Sequence, residues 1–424
     1  MKQPEKIKTI SLIILIGFLV SIAYHYILGG WPFNLPYPFN TFVTSPIYRF
    51  SDFTQSIYPE LVGLDPYRDQ SFPPYSNFPF GALVTLPFVM LPMKLALVMF
   101  LLTFICFHFY NVYSSLAVKG AQCYHDIIVI SCLTFPFLVT IERANFEVIV
   151  YIFLSLFLYY YKTRKYQICC IFLSFSIAMK IFPAIFLLLF FVDKKYKEIL
   201  YIIVISTLAL FLPFFIFKGT INENISGLLG NLSIYKLHNI IGYNGVHYGH
   251  SLWGAFKVVY YGIIELISDQ PAKYIHGVKY LTLPYTLFVL MLTGCITFYL
   301  AYKERVFWRK IALLVFAMNL FPFVSGPYKM LYIYLPLLLF INSEHSKRDK
   351  IFCILFALLM IPKHYVPLYW TPPYSLGGEI GDLQTWSEVL VDPLLMLVFA
   401  GVIIWDGIKM PKIKLSTIKN KVYG

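Results

Sequence analysis

The stretch QICCIFLSFSIAMKIFPAIFLLLFFV, residues 167–192, decides how the chain is read. Its only charged residue is Lys180, and it lies between two basic loops, Lys162-Thr163-Arg164-Lys165 and Lys194-Lys195. At a rise of about 1.5 Å per residue, this length makes one comfortable crossing of a bilayer or two half-length helices. Basic loops stay on the cytoplasmic side, so a stretch with basic flanks at both ends must enter and return. Pro183 supplies the break, because it lacks an N–H and clashes with the preceding turn. The spacing predicts two short helices meeting near Lys180-Ile181-Phe182-Pro183, with Lys180 at the outer end of a half-span. An ionisable group there is costly without a partner and is a functional candidate. The plainer reading is a lysine that snorkels to the interface.

The composition agrees with a membrane frame. The 424 residues are 59% hydrophobic and 13% charged, with mean hydropathy +0.70. Soluble domains carry about 25% charged residues. The net charge of +13 is gathered in short loops around Lys2, Lys119, Lys162, Lys194, Lys303, Lys347 and Lys409, which together hold 22 of the 34 basic residues and eight of the 21 acids. That asymmetry is the positive-inside pattern, and it argues against a nucleic-acid partner. The chain therefore reads as an all-α polytopic membrane protein of about 12 transmembrane or short membrane helices. It forms one integral membrane domain, residues 1–424, with outer loops at 29–80, 218–279 and 363–388 and a basic cytoplasmic tail at 409–424. The first apolar segment, about Ile7 to Leu28, reads as an anchored span, since no small-residue cleavage site follows it. A multi-pass protein of a bacterial inner membrane is expected. The seven cysteines avoid the outer loops, so no external disulfide framework is expected, and Cys169-Cys170 reads as packing.

The first outer loop is rich in proline and carries Asp52, Asp65 and Tyr67. Asp52, just past the first span, reads as a general base for a hydroxyl nucleophile, or as a surface acid capping the turn at Ser51. The tight turn Glu142-Arg143-Ala144-Asn145-Phe146-Glu147 separates two apolar segments. Arg143 and Asn145 there form a cation–amide pair suited to a lipid phosphate, although any outer turn needs polar residues. Ser325-Gly326-Pro327-Tyr328-Lys329 again places a lysine at the end of a short apolar helix. His247-Tyr248-Gly249-His250 has two histidines within metal reach but no third ligand in view, so substrate hydrogen bonding is the better reading. No P-loop or dinucleotide fingerprint is present. Asn224 and Asn231 are sequons in the second outer loop.

Asp52-Phe53, then Gly63-Leu64-Asp65-Pro66-Tyr67, Tyr75 and Phe78-Pro79, resembles the first-loop signature of the family-87 glycosyltransferases. Arg143-Ala144-Asn145 is similar to that family's Gly/Arg-x-Asn turn. Ala178-Met179-Lys180-Ile181-Phe182-Pro183 is similar to its Ala-x-x-Lys-x-x-Pro motif, and His250-Ser251-Leu252 to its Asn-Ser-Leu segment. One departure is Lys329, where many members carry a His pair nearby. The resemblance implies a GT-C-like bundle and an inverting transfer, on the outer face, of a hexose such as mannose. The implied donor is a polyprenyl-phosphate sugar, and the acceptor a glycolipid or cell-envelope glycan. It implies Asp52 as base, with Arg143, Lys180 and Lys329 around the departing phosphate and Asp65, Tyr67, Asn145, His247, His250 and Tyr328 as substrate contacts. No cofactor is expected, and a divalent metal stays open. An O-antigen polymerase or ligase would rely on outer Arg and His instead. A transporter would show paired broken helices, and only the one at Lys180 is visible.

Overall fold

The computed structural model describes residues 1–31, 49–68, 77–117, 124–242, 246, 249–267, 277–363, 365, 367–370 and 383–409. His247, the basic tail beyond Lys409 and parts of the first, second and last outer loops lie outside the described residues.

The described chain is helical apart from one antiparallel strand pair, β1 (Pro367–Trp370) with β2 (Leu383–Trp386), in the last of those loops. Five helices are long and apolar enough to cross a membrane: Gln3–Ile27, Met93–Leu116, Tyr196–Phe215, Val278–Tyr302 and Glu388–Lys409. A sixth forms if Tyr124–Cys132 and Phe135–Arg143, bent by 50° at their junction, are counted together. Of the about 12 transmembrane or short membrane helices expected, the described residues show five or six that can span by length, beside five shorter apolar ones. The physical reason is length. Tyr166–Met179 has 14 residues, roughly 21 Å of helix against a hydrocarbon core of about 30 Å. Such helices fill the bundle by packing on their neighbours rather than by spanning alone.

The region around Lys180 follows the expectation. The first short helix is Tyr166–Met179. Lys180 then turns extended (φ −150°, ψ 133°), and a 3-10 turn, Phe182–Phe186, leads into Leu187–Val192. The first short helix packs on both Glu147–Lys162 and Tyr196–Phe211, burying Cys169, Cys170, Leu173 and Ile177. The cysteine pair is thus packing. Helix Pro79–Val89 buries Phe80, Ala82, Thr85 and Val89 and packs on Tyr166–Met179, Met93–Leu116 and Tyr196–Phe211.

The main core is aromatic: Trp308, Phe340, Phe352, Phe356 and Phe399 stack through ring contacts of 4.7–6.0 Å. A smaller core of Val246, Trp253, Val258, Tyr261, Val278 and Val389 sits apart from it. In contrast, none of the most apolar window of Val278–Tyr302 is buried, and Tyr280, Leu283, Leu290 and Phe298 are all exposed. Water would not tolerate such a face; lipid does.

The second outer region contains a helix that residue pattern alone did not reveal, Ile221–Tyr235, started by a reciprocal Thr220–Glu223 capping box. Both sequon asparagines are buried on it, and Asn224 donates to the carbonyls of Lys218 and Thr220 at 3.0 and 3.1 Å. This helix presses on the first outer loop at Gly227, where an added Cβ would lie 2.5 Å from the Tyr67 carbonyl oxygen. The obstacle is backbone and cannot swing away. Gly227→Ala is therefore expected to cost about 1–3 kcal/mol by overpacking, read as a lower unfolding midpoint in detergent. An unchanged midpoint would show that the helix moves freely over the loop.

Candidate active site

Five chain segments bring their polar ends to one end of the bundle: 49–53, 77–78, 142–147, 180–183 and 325–332. Local backbone geometry explains how each does so. Phe50 adopts a left-handed conformation (φ 56°), and its N–H donates to the Glu142 carbonyl at 2.5 Å. Asp52 opens a π-helical turn, Asp52–Ile57. π-turns of this kind recur at functional sites. Phe53, Ile57 and Leu61, on the other side of that turn, are fully buried, and the Phe53 ring lies 5.1 Å from Phe100. The apolar side anchors the turn and leaves Asp52 half-buried.

Arg143 ends helix Phe135–Arg143, which Ala144 terminates in the left-handed region (φ 50°, ψ 48°). Helix Glu147–Lys162 starts three residues later, with Asn145 Oδ1 accepting the Glu147 N–H at 3.1 Å. The turn thereby aims Arg143 and Asn145 the same way. Their target is Asp52. Arg143 Nε donates to Asp52 Oδ2 at 3.2 Å, Arg143 Nη2 donates to Oδ1, and Asn145 Nδ2 donates to Oδ2 at 2.8 Å. The cation–amide pair is thus spent on the carboxylate rather than on a phosphate. A two-pronged arginine bond fixes orientation as well as charge. A carboxylate has about four lone-pair directions, so roughly one is left for an incoming hydroxyl. The Asp52 and Arg143 side chains are 16% and 19% exposed, so the pair is reachable.

Behind this pair lies a deeper layer. Lys180 Nζ donates to Asn77 Oδ1 at 2.5 Å, and the carbonyl of Asn77 accepts from the Tyr67 hydroxyl at 2.8 Å. Lys329 Nζ sits 3.7 Å from the centroid of the Phe182 ring and donates to the Val324 carbonyl at 3.3 Å. Glu147, fully buried, accepts from the Tyr332 hydroxyl. The two ammonium groups feel the field of Glu147, and Lys180 also that of Asp52. Tyr328 is coupled to Asp52, Glu147 and Arg143. An added Cβ at Gly326 would lie 2.6 Å from the Tyr328 ring, so only glycine lets that ring fold back over the turn.

Of the residues expected from sequence, Asp52, Arg143, Asn145, Lys180, Tyr328 and Lys329 are thus brought together. Tyr67 joins through Asn77; its ring is buried near Phe214 and Phe217. Asp65 stands aside in an exposed pair with Arg68 at 3.3 Å. His250 is fully buried elsewhere, its Nδ1 2.8 Å from Asp392 and its Nε2 3.5 Å from Glu388. Lys363 Nζ meets Asp392 at 2.9 Å, so two carboxylates face one imidazole and one ammonium. Glu147, Asn77 and Tyr332 escaped sequence reading. An acid in the first turn of a helix is ordinary, because it complements the helix dipole. The only signal was its place in the same polar turn as Arg143.

The arrangement offers an oriented carboxylate at the rim and two lysines deeper in. Such a pattern can take a proton from a hydroxyl and balance a departing anion. A family model described as glycosyltransferase family 87 matches residues 75–326, more than half of the chain. The match includes Arg143, Glu147, Lys180 and His250 and begins after Asp52. The searches of curated proteins and of solved structures found no match.

Proposed function

We propose, given that this chain belongs to glycosyltransferase family 87 and is a membrane-embedded glycosyltransferase, that it moves a hexose, mannose first, from a polyprenyl-phosphate donor to a glycolipid or cell-envelope glycan. The transfer takes place on the non-cytoplasmic face and inverts the anomeric carbon. The observation that carries the reading is Asp52, aligned by Arg143 and Asn145 with Lys180 and Lys329 beyond it. The acceptor hydroxyl gives its proton to Asp52 as its oxygen bonds to the anomeric carbon. The bond from that carbon to the phosphate oxygen breaks, and polyprenyl phosphate leaves with the electron pair. A phosphate is already a weak base and needs no protonation, so one carboxylate suffices where a glycosidase uses two. A single displacement from one face inverts the centre.

Lys180 and Lys329 take up the charge that develops on the departing phosphate. Preorganised charges of this sort contribute several kcal/mol in a water-poor site. A ligase-type reading would rest on outer Arg and His side chains; of those singled out from the sequence and described, Arg143 is engaged with Asp52 and His250 faces Asp392. The test is to incubate the purified protein with polyprenyl-phosphate mannose or glucose and a panel of lipid acceptors, read by mass. Gain of one hexose by an acceptor with release of polyprenyl phosphate is expected. Movement of labelled lipid across the bilayer with no transfer would overturn the reading in favour of a transporter.

A further inference from the structure

His250 lies at a junction of four segments beside the Asp52 cluster, which it meets at the Ser325 turn. Its backbone N–H donates to the Ser325 carbonyl at 2.7 Å. The neighbouring Ser251 Oγ donates to the Phe323 carbonyl at 3.0 Å and accepts the Gly254 N–H at 3.0 Å, capping helix Leu252–Ile267. The ring of His250 reaches Glu388 and Asp392, one turn apart at the start of the last helix. On the far side of Asp392, Lys363 also accepts the task of capping helix Asp349–Met360, donating to the carbonyls of Leu358 and Ile361 at 2.9 and 2.8 Å. His250, Glu388 and Asp392 are all fully buried, and the smaller core around Trp253 and Val389 packs beside them. Three residues beyond Ser325 stand Tyr328 and then Lys329.

We propose that His250, as an imidazolium gripped by Asp392 and Glu388, is a positioning residue that holds the Ser325–Lys329 turn against the Asp52 cluster. Each ring nitrogen faces a carboxylate, at 2.8 Å for Asp392 and 3.5 Å for Glu388, an arrangement that favours hydrogen on both nitrogens. Two carboxylates are then balanced by the imidazolium and Lys363, and breaking one member leaves a buried charge uncompensated. Burial alone pushes the imidazole down, but the facing carboxylates of Asp392 and Glu388 outweigh it and raise it to about 9 from 6.5. For a raised group, the stabilisation is complete below the unfolded value near 6.5 and is lost as pH climbs through about 9. Among the described residues, the titratable and charged groups facing the ring are Glu388 and Asp392, with Lys363 behind the latter.

The experiment compares wild type and His250→Gln, as full chains in nanodiscs, between pH 6 and 10. The unfolding midpoint of the wild type is expected to fall by several degrees across that range, while the variant starts lower and stays flat. A flat wild-type profile overturns the latch, with no variant needed. At pH 7.5, covalent labelling of Lys329 by an amine reagent, read by mass, is expected to be faster in the variant. Equal labelling overturns the positioning role. Affinity for polyprenyl phosphate is expected to drop about tenfold in the variant, well inside what a displacement of about 1 Å can cost. Only this last arm rests on the proposed function. If the wild type binds no polyprenyl phosphate, that reading fails, and the unfolding and labelling arms still decide the role of His250. A stoichiometric metal in the purified protein would also overturn the imidazolium.

Discussion

Asp52→Asn is expected to leave the protein folded and membrane-inserted while cutting hexose transfer by at least ~10²-fold, the lower range for a positioned acid–base group. The substitution keeps shape and one oxygen but removes the acceptor of the hydroxyl proton. It also releases Arg143 from its two-pronged bond. That guanidinium is only 19% exposed, so losing the carboxylate beside it costs about 1–3 kcal/mol. The loss of kcat should far exceed what this modest fall in the unfolding midpoint explains. Arg143→Lys separates orientation from proton transfer. It keeps a cation but loses the planar fork, so a smaller loss of kcat is expected. Transfer at the wild-type rate by Asp52→Asn would remove Asp52 from the chemistry.

Lys180→Met is expected to lower transfer by about 10²–10³-fold, the range seen when one preorganised charge-stabilising donor is removed. Arg143 cannot compensate, since it already serves Asp52. Lys329 remains, but it is 5% exposed and lies over Phe182, where its reach is limited. The methionine keeps the unbranched stem, so packing around Asn77 and Phe182 should persist. Binding of polyprenyl phosphate should weaken in parallel with the rate, because the interaction grows as the phosphate leaves and persists in the product. A rate loss with unchanged product affinity would place Lys180 in folding the turn instead.

The polar turn at Glu142–Glu147 shows how far residue pattern carries. Its position between two apolar segments was legible because charge in a bilayer is expensive. What Arg143 and Asn145 point at was not, because direction depends on the left-handed Ala144 and on the Phe50 N–H bonded to Glu142. Glu147 was hidden for a related reason. An acid at a helix start looks the same whether water or Tyr332 surrounds it. His250 is the opposite case. Two nearby histidines read as ligands for substrate, yet contacts with Asp392 and Glu388, more than a hundred residues away, make His250 part of a buried clasp.

Local chemistry along the chain is enough to specify a helical membrane protein with a broken segment at Lys180. Apolar runs, Pro183 and the placement of basic loops act locally, through the cost of dehydrating charge and of unpaired backbone groups. Contacts across the fold are what pack the short helices on their neighbours and bring Arg143 and Asn145 to Asp52 and Lys180 to Asn77. Those outcomes depend on packing between segments far apart in the chain, such as Phe53 on Phe100 and Lys180 on Asn77. No local rule of hydropathy or turn chemistry encodes such pairings.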